Sequence, residues 1–376
     1  MASNFEVPFV DLPRQFVDLE SDFISAFSKI GRSGSYILGP EVEQFEEAVA
    51  DYCGVKHAIG VGDGSAALFL PLKALGIGDG DEVVTAANSF IASAWVIAAA
   101  GATPVLTDVS DDLNMCPTSL VSAISPRTRA IMPVHLAGRP ADMDVITSIA
   151  TEAGIPIIED AAQAIGARYK GKRVGSLGLA AGFSLHPLKN LGVYGDGGFI
   201  TTNDDALADR VRLLRNHGLK SRDDCLVWGY NSRLDSIQAA FALIKLKHLP
   251  IWNQRCREIA ERYRSGLEGF VKVPKEQSNV ENVYHNFIIE TPHRDALAKH
   301  LKGEGIGTAI HYPVPIHLQT AAKHLGYRKG SFPVTESLCD TMLSLPIYPQ
   351  LTNSEVDYVV DRTASFFKTC DCGARV

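Results

Sequence analysis

Apolar residues between positions 40 and 215 alternate between helical and strand-like spacing. Helical spacing predicts helices at 40–52, 66–75, 92–100, 142–153 and 204–215. Short apolar runs bounded by Gly, Pro or Asp predict strands at 82–87, 104–109, 130–135, 155–159, 182–185 and 199–202. This alternation predicts an α/β fold with a mostly parallel central sheet and flanking helices. Because such sheets bind ligands beyond the carboxyl ends of their strands, we expect the chemistry there.

The pattern changes after about residue 235. Helical spacing predicts helices at 236–249 and 255–267, with a break between them near Pro250. An apolar run predicts a strand at 287–290, and helical spacing predicts a further helix at 294–302. Together with proline-rich loops, these elements predict a smaller α+β C-terminal domain. We therefore expect a large domain over residues 1–248 and a small domain over residues 249–376. The N-terminal segment is a candidate to pack on the small domain.

Composition and charge narrow the range of partners. The chain has 376 residues and a formal net charge of −7, so a nucleic-acid partner, which needs a basic face, is not expected. No apolar run is long enough to predict a membrane span, and the N-terminus lacks the pattern of a signal peptide. Seven dispersed cysteines indicate reduced thiols and a cytoplasmic location. Cys370 and Cys372 are too few ligands for a metal site, so no metal is predicted.

Lys189 lies between a serine and a glycine-rich stretch, in the order Ser184, His186, Lys189 and then 195–198. This order suits an aldehyde cofactor that carries a phosphate. The lysine amine can form a Schiff base, and the serine and the backbone can hold the phosphate. A desolvated lysine near other cations has a lowered pKa and becomes nucleophilic. The alternative is an ordinary solvated lysine.

Gly64 and Ser65 open a predicted helix after a glycine-rich turn. Their N–H groups and the serine hydroxyl would bind an anion with the help of the helix dipole. The alternative is a glycine-rich turn whose serine caps the helix. The glycine spacing from 60 to 64 differs from the dinucleotide fingerprint, which makes a nicotinamide dehydrogenase a weak interpretation.

Asp160 follows a buried strand, so its carboxylate is expected in the crevice at the strand end. An anion there would keep a pyridine nitrogen protonated. The alternative is a carboxylate that caps the next turn. Gln163 could face the same site, and Phe90 could stack on a cofactor ring or belong to the core.

Two loops carry further candidates. Asn231 and Arg233 precede a helix, where the arginine could pair with a phosphate or carboxylate, or form a surface ion pair. His311, Tyr312 and His317 lie in a proline-rich loop, where they could reach a substrate or stabilise the loop.

As a set, these residues resemble the DegT/DnrJ/EryC1/StrS sugar aminotransferases, a branch of the fold-type I pyridoxal-phosphate enzymes. The resemblance runs nearly from end to end. It is carried by the segments 8–12, 75–83, 101–105, 133–138, 159–163, 184–189, 215–218, 229–235, 238–240, 311–313 and 345–349.

The resemblance implies roles around the cofactor, which would be pyridoxal 5'-phosphate. Lys189 matches the position that forms the Schiff base and moves the proton, and Asp160 matches the position that holds the pyridine nitrogen. Gln163 matches the position that contacts the hydroxyl side of the ring. Gly64, Ser65 and Ser184 match the phosphate-binding positions, and Phe90 matches the aromatic residue that stacks on the ring.

The resemblance also implies partners. Asn231 and Arg233 match a loop that reaches the phosphate and the substrate region of a neighbouring subunit, which implies a homodimer with shared sites. His311 and Tyr312 match a loop near the nucleotide-sugar, and His186 and His317 are added as substrate candidates.

The expected reaction moves an amino group from an amino acid, L-glutamate being favoured, to a keto-sugar on a nucleoside diphosphate such as dTDP or UDP. The segment 195–198, which has Asp196 where many members have glutamate, resembles the members that aminate C3 more than those that aminate C4. The segment 229–235 supports the same resemblance. Leu185 departs from the phenylalanine that is common in the family. Lys189 favours amino transfer, because relatives with histidine there catalyse dehydration. The alternatives are a pyridoxal-phosphate-dependent dehydratase and a regulatory protein that binds the cofactor without catalysis.

Overall fold

A computed structural model describes residues 5–369, so Cys370 and Cys372 lie outside the described residues. The helices are α1 Leu12–Val17, α2 Glu20–Ser33, α3 Pro40–Cys53, α4 Gly64–Ala74, α5 Ala92–Ala99, α6 Pro117–Ala123, α7 Met143–Ala153, α8 Asp205–Arg215, α9 Ser236–Leu246, α10 Leu249–Leu267, α11 Arg294–Gly303, α12 Pro333–Thr341 and α13 Asn353–Thr369. Short 3-10 helices span Leu136–Gly138, Ile316–Leu318 and Thr320–Leu325.

The strands are β1 His57–Val61, β2 Glu82–Ala86, β3 Thr103–Thr107, β4 Thr128–Met132, β5 Ile158–Asp160, β6 Arg168–Tyr169, β7 Lys172–Arg173, β8 Ala180–Ser184, β9 Gly198–Thr202, β10 Leu219–Ser221, β11 Asp224–Cys225, β12 Val280–Glu281, β13 Phe287–Glu290 and β14 Met342–Leu345. Among the described residues, no helix is both long and apolar enough to cross a bilayer.

Seven strands form the central sheet in the order β1-β9-β8-β5-β4-β2-β3. Two hydrogen-bonded groups, β1-β9-β8-β5 and β3-β2-β4, are joined by the parallel bridges Ile131–Ile157 and Val134–Asp160. Within this sheet β9 runs antiparallel to its neighbours β1 and β8, and the other pairs are parallel. The predicted α/β fold with a mostly parallel sheet is thereby confirmed.

Helix α4 lies against β8 at a very close approach. A Cβ on Gly182 would stand 2.7 Å from Leu68 Cδ2 and 2.8 Å from the Ala67 carbonyl oxygen, so only glycine fits in this strand. The side chain of Asp63 accepts the N–H of Ala66 and fixes where the helix begins. This packing brings the first turn of α4 to the carboxyl end of β8.

A second core lies beyond the sheet and contains the antiparallel pair β13–β14 with one face each of α10, α11 and α13. The backbone of Val7 exchanges hydrogen bonds with Gly305 (3.0 Å) and Gly307 (2.9 Å), so the N-terminal segment packs here. Helix α10 begins at Leu249, earlier than the predicted 255, because Pro250 occupies the first turn, where its missing N–H costs nothing. The boundary between residues 248 and 249 stays a prediction.

Candidate active site

A single cavity of about 600 Å³ opens at the carboxyl ends of β5 and β8. Most of the residues predicted from the sequence line it, namely Gly64, Ser65, Phe90, Asp160, Gln163, Ser184, His186, Lys189, His311 and Tyr312. They come from positions as distant as 64 and 312, and the fold collects them at the strand ends, as expected for this sheet type.

One end of the cavity is suited to a phosphate. Gly64 and Ser65 form the first turn of α4, and a Cβ built on Gly64 would stand 2.6 Å from Ser184 Cβ. Two hydroxyls and a helix N-terminus therefore converge without a side chain between them, which favours an anion. The backbone N–H of His186 donates to Ser184 Oγ at 3.2 Å and holds this hydroxyl at the strand end.

Lys189 lies in a tight turn after β8, in which its N–H donates to the His186 carbonyl oxygen at 2.8 Å. Its Nζ lies 3.5 Å from His285 Nε2. Burial lowers the pKa of Lys189 to about 8, against the attraction of Asp160, which raises it. The amine is therefore neutral, and nucleophilic, in a much larger fraction of molecules than a solvated lysine would be.

Asp160 ends β5 and is buried in the cavity wall. Its carboxylate accepts Ser93 Oγ at 2.7 Å and the N–H of Ala162 at 3.2 Å, and Ser89 Oγ lies 2.7 Å from Ser93 Oγ. Burial raises the pKa of Asp160, while these two hydrogen bonds and the charge of Lys189 oppose the rise. Ser93 is not among the residues predicted from the sequence. Its one local signal is the spacing of four from Ser89 at the start of a helix.

A buried pair lies directly behind Asp160. Glu159 accepts the N–H groups of Gly175, Leu177 and Gly178 at 2.8–2.9 Å, and it lies 3.1 Å from His135 Nε2. The N–H of Ala141 donates to His135 Nδ1, so the ring proton is on Nε2 and faces the carboxylate. This fully bonded pair holds the end of β5 in place.

Gln163, Tyr312 and Phe90 line the cavity together. Gln163 accepts the N–H of Ala137 at 2.7 Å and donates to the hydroxyl of Tyr312 at 3.3 Å. The rings of Tyr312 and Phe90 are 5.8 Å apart. The side chain of Phe90 is 54% exposed, which disfavours the core alternative and leaves its face available to a ligand ring.

Two histidines near Lys189 are held neutral. Burial, followed by the charges of Lys189, His311 and His186, lowers the pKa of His285 well below its usual value. Burial and then Lys189 lower the pKa of His311 to about 4, and its Nδ1 lies 2.8 Å from Ser344 Oγ. His285 was not predicted from the sequence, because it stands between Tyr284 and Asn286 with no motif around it.

Three candidates lie outside the cavity. Asn231 is exposed, and Arg233 donates to Asn216 Oδ1 at 3.0 Å rather than forming an ion pair. His317 is buried in a 3-10 helix with its Nε2 2.9 Å from Glu336 Oε1, a packing that serves the loop. The substrate and cofactor roles of these three residues stay predictions.

The charged side chains of the cavity provide no arginine to pair with a phosphate. Asp63, Asp160 and Asp196 line it, and Lys189 is its lysine. Among residues 5–369, no arginine lines the cavity. Within one chain, the phosphate end of the cavity thus offers hydroxyls and a helix N-terminus, but no arginine.

The lysine, the strand-end carboxylate and the anion cradle share one cavity on a mostly parallel sheet, which defines an enzyme that works through a phosphorylated aldehyde cofactor. The chain belongs to the DegT/DnrJ/EryC1/StrS aminotransferase family, whose model matches residues 17–364. The predicted family and enzyme class are confirmed, and so is pyridoxal phosphate as the cofactor.

The chain is 44% identical to the dTDP-3-amino-3,4,6-trideoxy-alpha-D-glucose transaminase of Streptomyces venezuelae, over 98% of each chain. It is also 44% identical to the pleiotropic regulatory protein of Geobacillus stearothermophilus, over 96% of this chain and 99% of that protein. Its fold matches the crystal structure of S. venezuelae DesV in complex with a ketimine intermediate, with a TM-score of 0.95, 44% identity and coverage of 97% and 99%.

Proposed function

We propose that the protein transfers the amino group of an amino acid, preferably L-glutamate, to the C3 ketone of a sugar linked to a nucleoside diphosphate. The observation that carries this proposal is the pairing of Lys189, whose pKa falls to about 8, with the buried Asp160 in one cavity. Similarity to a transaminase named for a 3-amino sugar supports the substrate class and the C3 position.

The residues present fit pyridoxal phosphate. Lys189 would bind its aldehyde carbon, Asp160 its ring nitrogen, and Gly64, Ser65 and Ser184 its phosphate. When bound, this cofactor supplies an electron-accepting ring that stabilises negative charge on the carbon next to the transferred nitrogen.

The chain's own residues then handle the proton. The Nζ of Lys189, whose pKa burial lowers to about 8, takes the proton from the α-carbon of the amino acid and returns it on the cofactor side. Asp160, oriented by Ser93, keeps a proton on the ring nitrogen. Gln163 is fixed by the Ala137 N–H and would present its amide to the hydroxyl side of the ring.

A half-reaction separates this proposal from the two alternatives. Mixed with glutamate and no sugar, the holoenzyme should release about one 2-oxoglutarate per site, since the amino group stays on the cofactor. Lys189→Ala should lose both this release and the absorbance of lysine-bound cofactor. Lys170→Ala, an exposed lysine paired with Asp144, should behave as the wild type.

A dehydratase would release no 2-oxoglutarate in this assay, and a regulatory protein would bind the cofactor without turning over. The second alternative has one specific observation in its favour, the name of the pleiotropic regulatory relative. Near wild-type release by Lys189→Ala would show that the lysine is assigned wrongly.

We further infer a homodimer in which Asn231 and Arg233 enter the cavity of the neighbouring copy. Two observations support this inference. The cavity of one chain has no arginine among its described lining residues, although an arginine pairs strongly with a phosphate. The segment before Asn231 is also exposed and apolar, with Leu226 54% and Trp228 93% exposed, which is unfavourable for a surface that faces only water.

Mixed dimers test shared sites directly. Lys189→Ala and Arg233→Ala dimers should each be inactive, and co-refolding them should restore activity. In a mixed dimer one site carries both substitutions and the other carries neither, so about a quarter of wild-type activity should return at random mixing. A mixture that stays inactive, with mixed dimers verified by mass, would contradict the shared-site arrangement.

We also infer a cytoplasmic location. The cysteines at 53, 116, 225, 256 and 339 are free thiols, which suits a reducing compartment.

A further inference from the structure

His285 lies in the segment that leads into β13, and it meets the amine of Lys189 in the active-site cavity. Its side chain is partly exposed and lines this cavity, with Nε2 3.5 Å from Lys189 Nζ. Within residues 5–369, this is the hydrogen-bond contact that Nζ makes. The roles proposed for Lys189 do not explain it, because neither a Schiff base nor a proton transfer requires an imidazole beside the amine.

The backbone before His285 has a conformation that the surrounding structure must hold. Tyr284 has a φ of 49°, in the left-handed region that residues with a Cβ rarely adopt. Its N–H donates to Asn282 Oδ1 at 2.7 Å, and its hydroxyl accepts from Arg264 Nη1 at 2.6 Å. Such conformations persist where several contacts enforce them, and they cluster at functional sites. The direction in which His285 leaves the backbone is therefore fixed by the fold.

The same segment is joined to the turn that carries Lys189. Asn190, the residue after the lysine, donates through Nδ2 to the Val283 carbonyl oxygen at 3.0 Å. On its other side, the N–H of Val283 donates to the Gly138 carbonyl oxygen at 3.2 Å. One connected group of hydrogen bonds therefore holds both backbones from which the imidazole and the amine extend.

The charges of the two groups determine which nitrogen donates. Burial lowers the pKa of Lys189 to about 8 and that of His285 well below its usual value, so at pH 7 the amine is mostly charged and the imidazole is neutral. An ammonium group has three N–H donors and no acceptor. Nε2 of His285 therefore accepts from Nζ, and the ring proton lies on Nδ1.

We propose that His285 is a positioning residue for Lys189, whose neutral imidazole accepts a hydrogen bond from Nζ and stabilises the ammonium that forms when the lysine takes a proton. A neutral acceptor suits this task, because a carboxylate in the same place would keep the amine charged and unreactive. This role rests on the proposed proton transfer by Lys189 and adds the group that stabilises the resulting charge.

The other titratable groups of the cavity do not compete for this role. Among residues 5–369, those that line the cavity make no hydrogen bond to Nζ, namely Asp63, Asp160, His186, Asp196, His311 and Tyr312. Asp160 acts on Lys189 through its charge, which raises the pKa of the amine.

The reactivity of Lys189 in the cofactor-free, full-length protein tests the contact without turnover. Cyanate reacts with the neutral amine, and mass spectrometry of the digested protein gives the rate at this lysine. His285→Phe keeps a ring but removes the acceptor, so the pKa of Lys189 should fall by about one and labelling at pH 7 should become about fivefold faster.

Two variants serve as controls for the labelling experiment. His285→Gln keeps an acceptor near the position of Nε2 and should label within about twofold of the wild type. His324→Phe makes the same change as His285→Phe at an exposed position outside the cavity and should label as the wild type does. A wild-type rate in His285→Phe, or the same acceleration in His285→Phe and His285→Gln, would overturn the proposal.

A single turnover of the holoenzyme with glutamate separates positioning from the proposed function. Because the hydrogen bond is strongest when Nζ is charged, His285→Phe should lower the maximal rate about tenfold or more and leave the half-saturating glutamate concentration within about twofold. His285→Gln should recover most of the rate. A raised half-saturating concentration with an unchanged maximal rate would make His285 a substrate contact and overturn the positioning role.

The amount of 2-oxoglutarate shows which of the two proposals fails. His285→Phe should still release about one molecule per site, only more slowly. No release by the wild type would reject the transaminase function, and the cyanate experiment would still decide whether His285 accepts from Lys189.

Neutron diffraction from crystals of the cofactor-free wild type keeps the test decisive if neither His285 variant folds. Deuterium is expected on Nδ1 of His285, and Nε2 should face a deuteron on Nζ. Deuterium on Nε2 would show that the ring donates to the amine, and it would refute the proposal.

Discussion

Lys189 should destabilise the cofactor-free protein, and its replacement by methionine should therefore stabilise it. Burial lowers the pKa of Lys189 from 10.5 to about 8, which means that the folded chain holds the charged amine less well than the unfolded chain does. Methionine keeps the length of the side chain and removes the charge. Catalytic groups that are displaced in pKa commonly carry such a cost in stability.

The size of the effect follows from the shift. One pKa unit corresponds to about 1.4 kcal/mol, so the full lowering from 10.5 to about 8 is worth about 3.5 kcal/mol, and water that reaches the partly exposed amine reduces this to about 2 kcal/mol. An entropy of unfolding of about 2 cal/mol/K per residue converts about 2 kcal/mol into a rise in Tm of about 3 °C for a chain of this length.

The pH dependence gives the sign. Below pH 8 the amine is charged in both states, and the cost is present in full. Between pH 8 and 10.5 the unfolded chain binds more protons than the folded chain, so the stability of the wild type rises with pH across this window. The advantage of Lys189→Met should therefore shrink as pH increases from 7 toward 10.

The assay is thermal and urea unfolding of cofactor-free wild type and Lys189→Met between pH 7 and 9.5. Lys170→Met is the matched control, because Lys170 is exposed and paired with Asp144, and it should not stabilise. If Lys189→Met were equal to or less stable than the wild type at pH 7, or if its advantage did not change with pH, the burial argument would be refuted.

Two further predictions concern Asp160 in the cavity wall and the phosphate end of the active-site cavity. Ser93→Ala removes the 2.7 Å hydrogen bond that lowers the pKa of Asp160, so the acid limb of the pH profile of turnover should move to higher pH and turnover at pH 7 should fall about tenfold; an unchanged profile would show that Ser93 does not control this carboxylate. Gly64→Ala places a Cβ 2.6 Å from Ser184 Cβ and should weaken cofactor binding about tenfold or more in a fluorescence titration. Gly31→Ala, in α2 with nothing within 4 Å of the new Cβ, should leave this affinity unchanged and raise stability by up to about 1 kcal/mol, and equal affinities in both variants would refute the close contact.

The sequence predicts those parts of the site that lie at strand ends. Asp160 and Ser184 each terminate an apolar run, and Lys189 follows in the next turn, so local spacing places all three at the edge of the sheet. His285 reaches Lys189 from 96 residues away, and Ser93 reaches Asp160 from 67 residues away. No spacing along the chain encodes such contacts, because they depend on how the second core docks and on how α5 packs against the sheet.

The elements show the same limit. Helix α2 was not predicted, although Phe23, Phe27 and Ile30 stand at the i, i+4, i+7 spacing of one helix face. Phe23 and Ile30 are buried, whereas Ile24 and Phe27 on the same face are 56% and 59% exposed. The last helix, α13, was also missed. A break between two helices was predicted near Pro250. The break precedes Leu249, and Pro250 itself stands in the first turn of α10.

Burial displaces the two central groups of the site in opposite directions, and both displacements favour the neutral form. The pKa of Lys189 is lowered and that of Asp160 is raised, and each is partly held back by the charge of the other. A Schiff base at Nζ would need the neutral amine, and a protonated ring nitrogen would give Asp160 a positively charged partner. Cofactor binding therefore relieves the cost of burial at both residues, whereas the contact of Gly64 with Ser184 involves no charge and serves shape alone. Stabilisation by the cofactor should accordingly be smaller in Lys189→Met than in the wild type, because that variant has already lost one of the two buried charges.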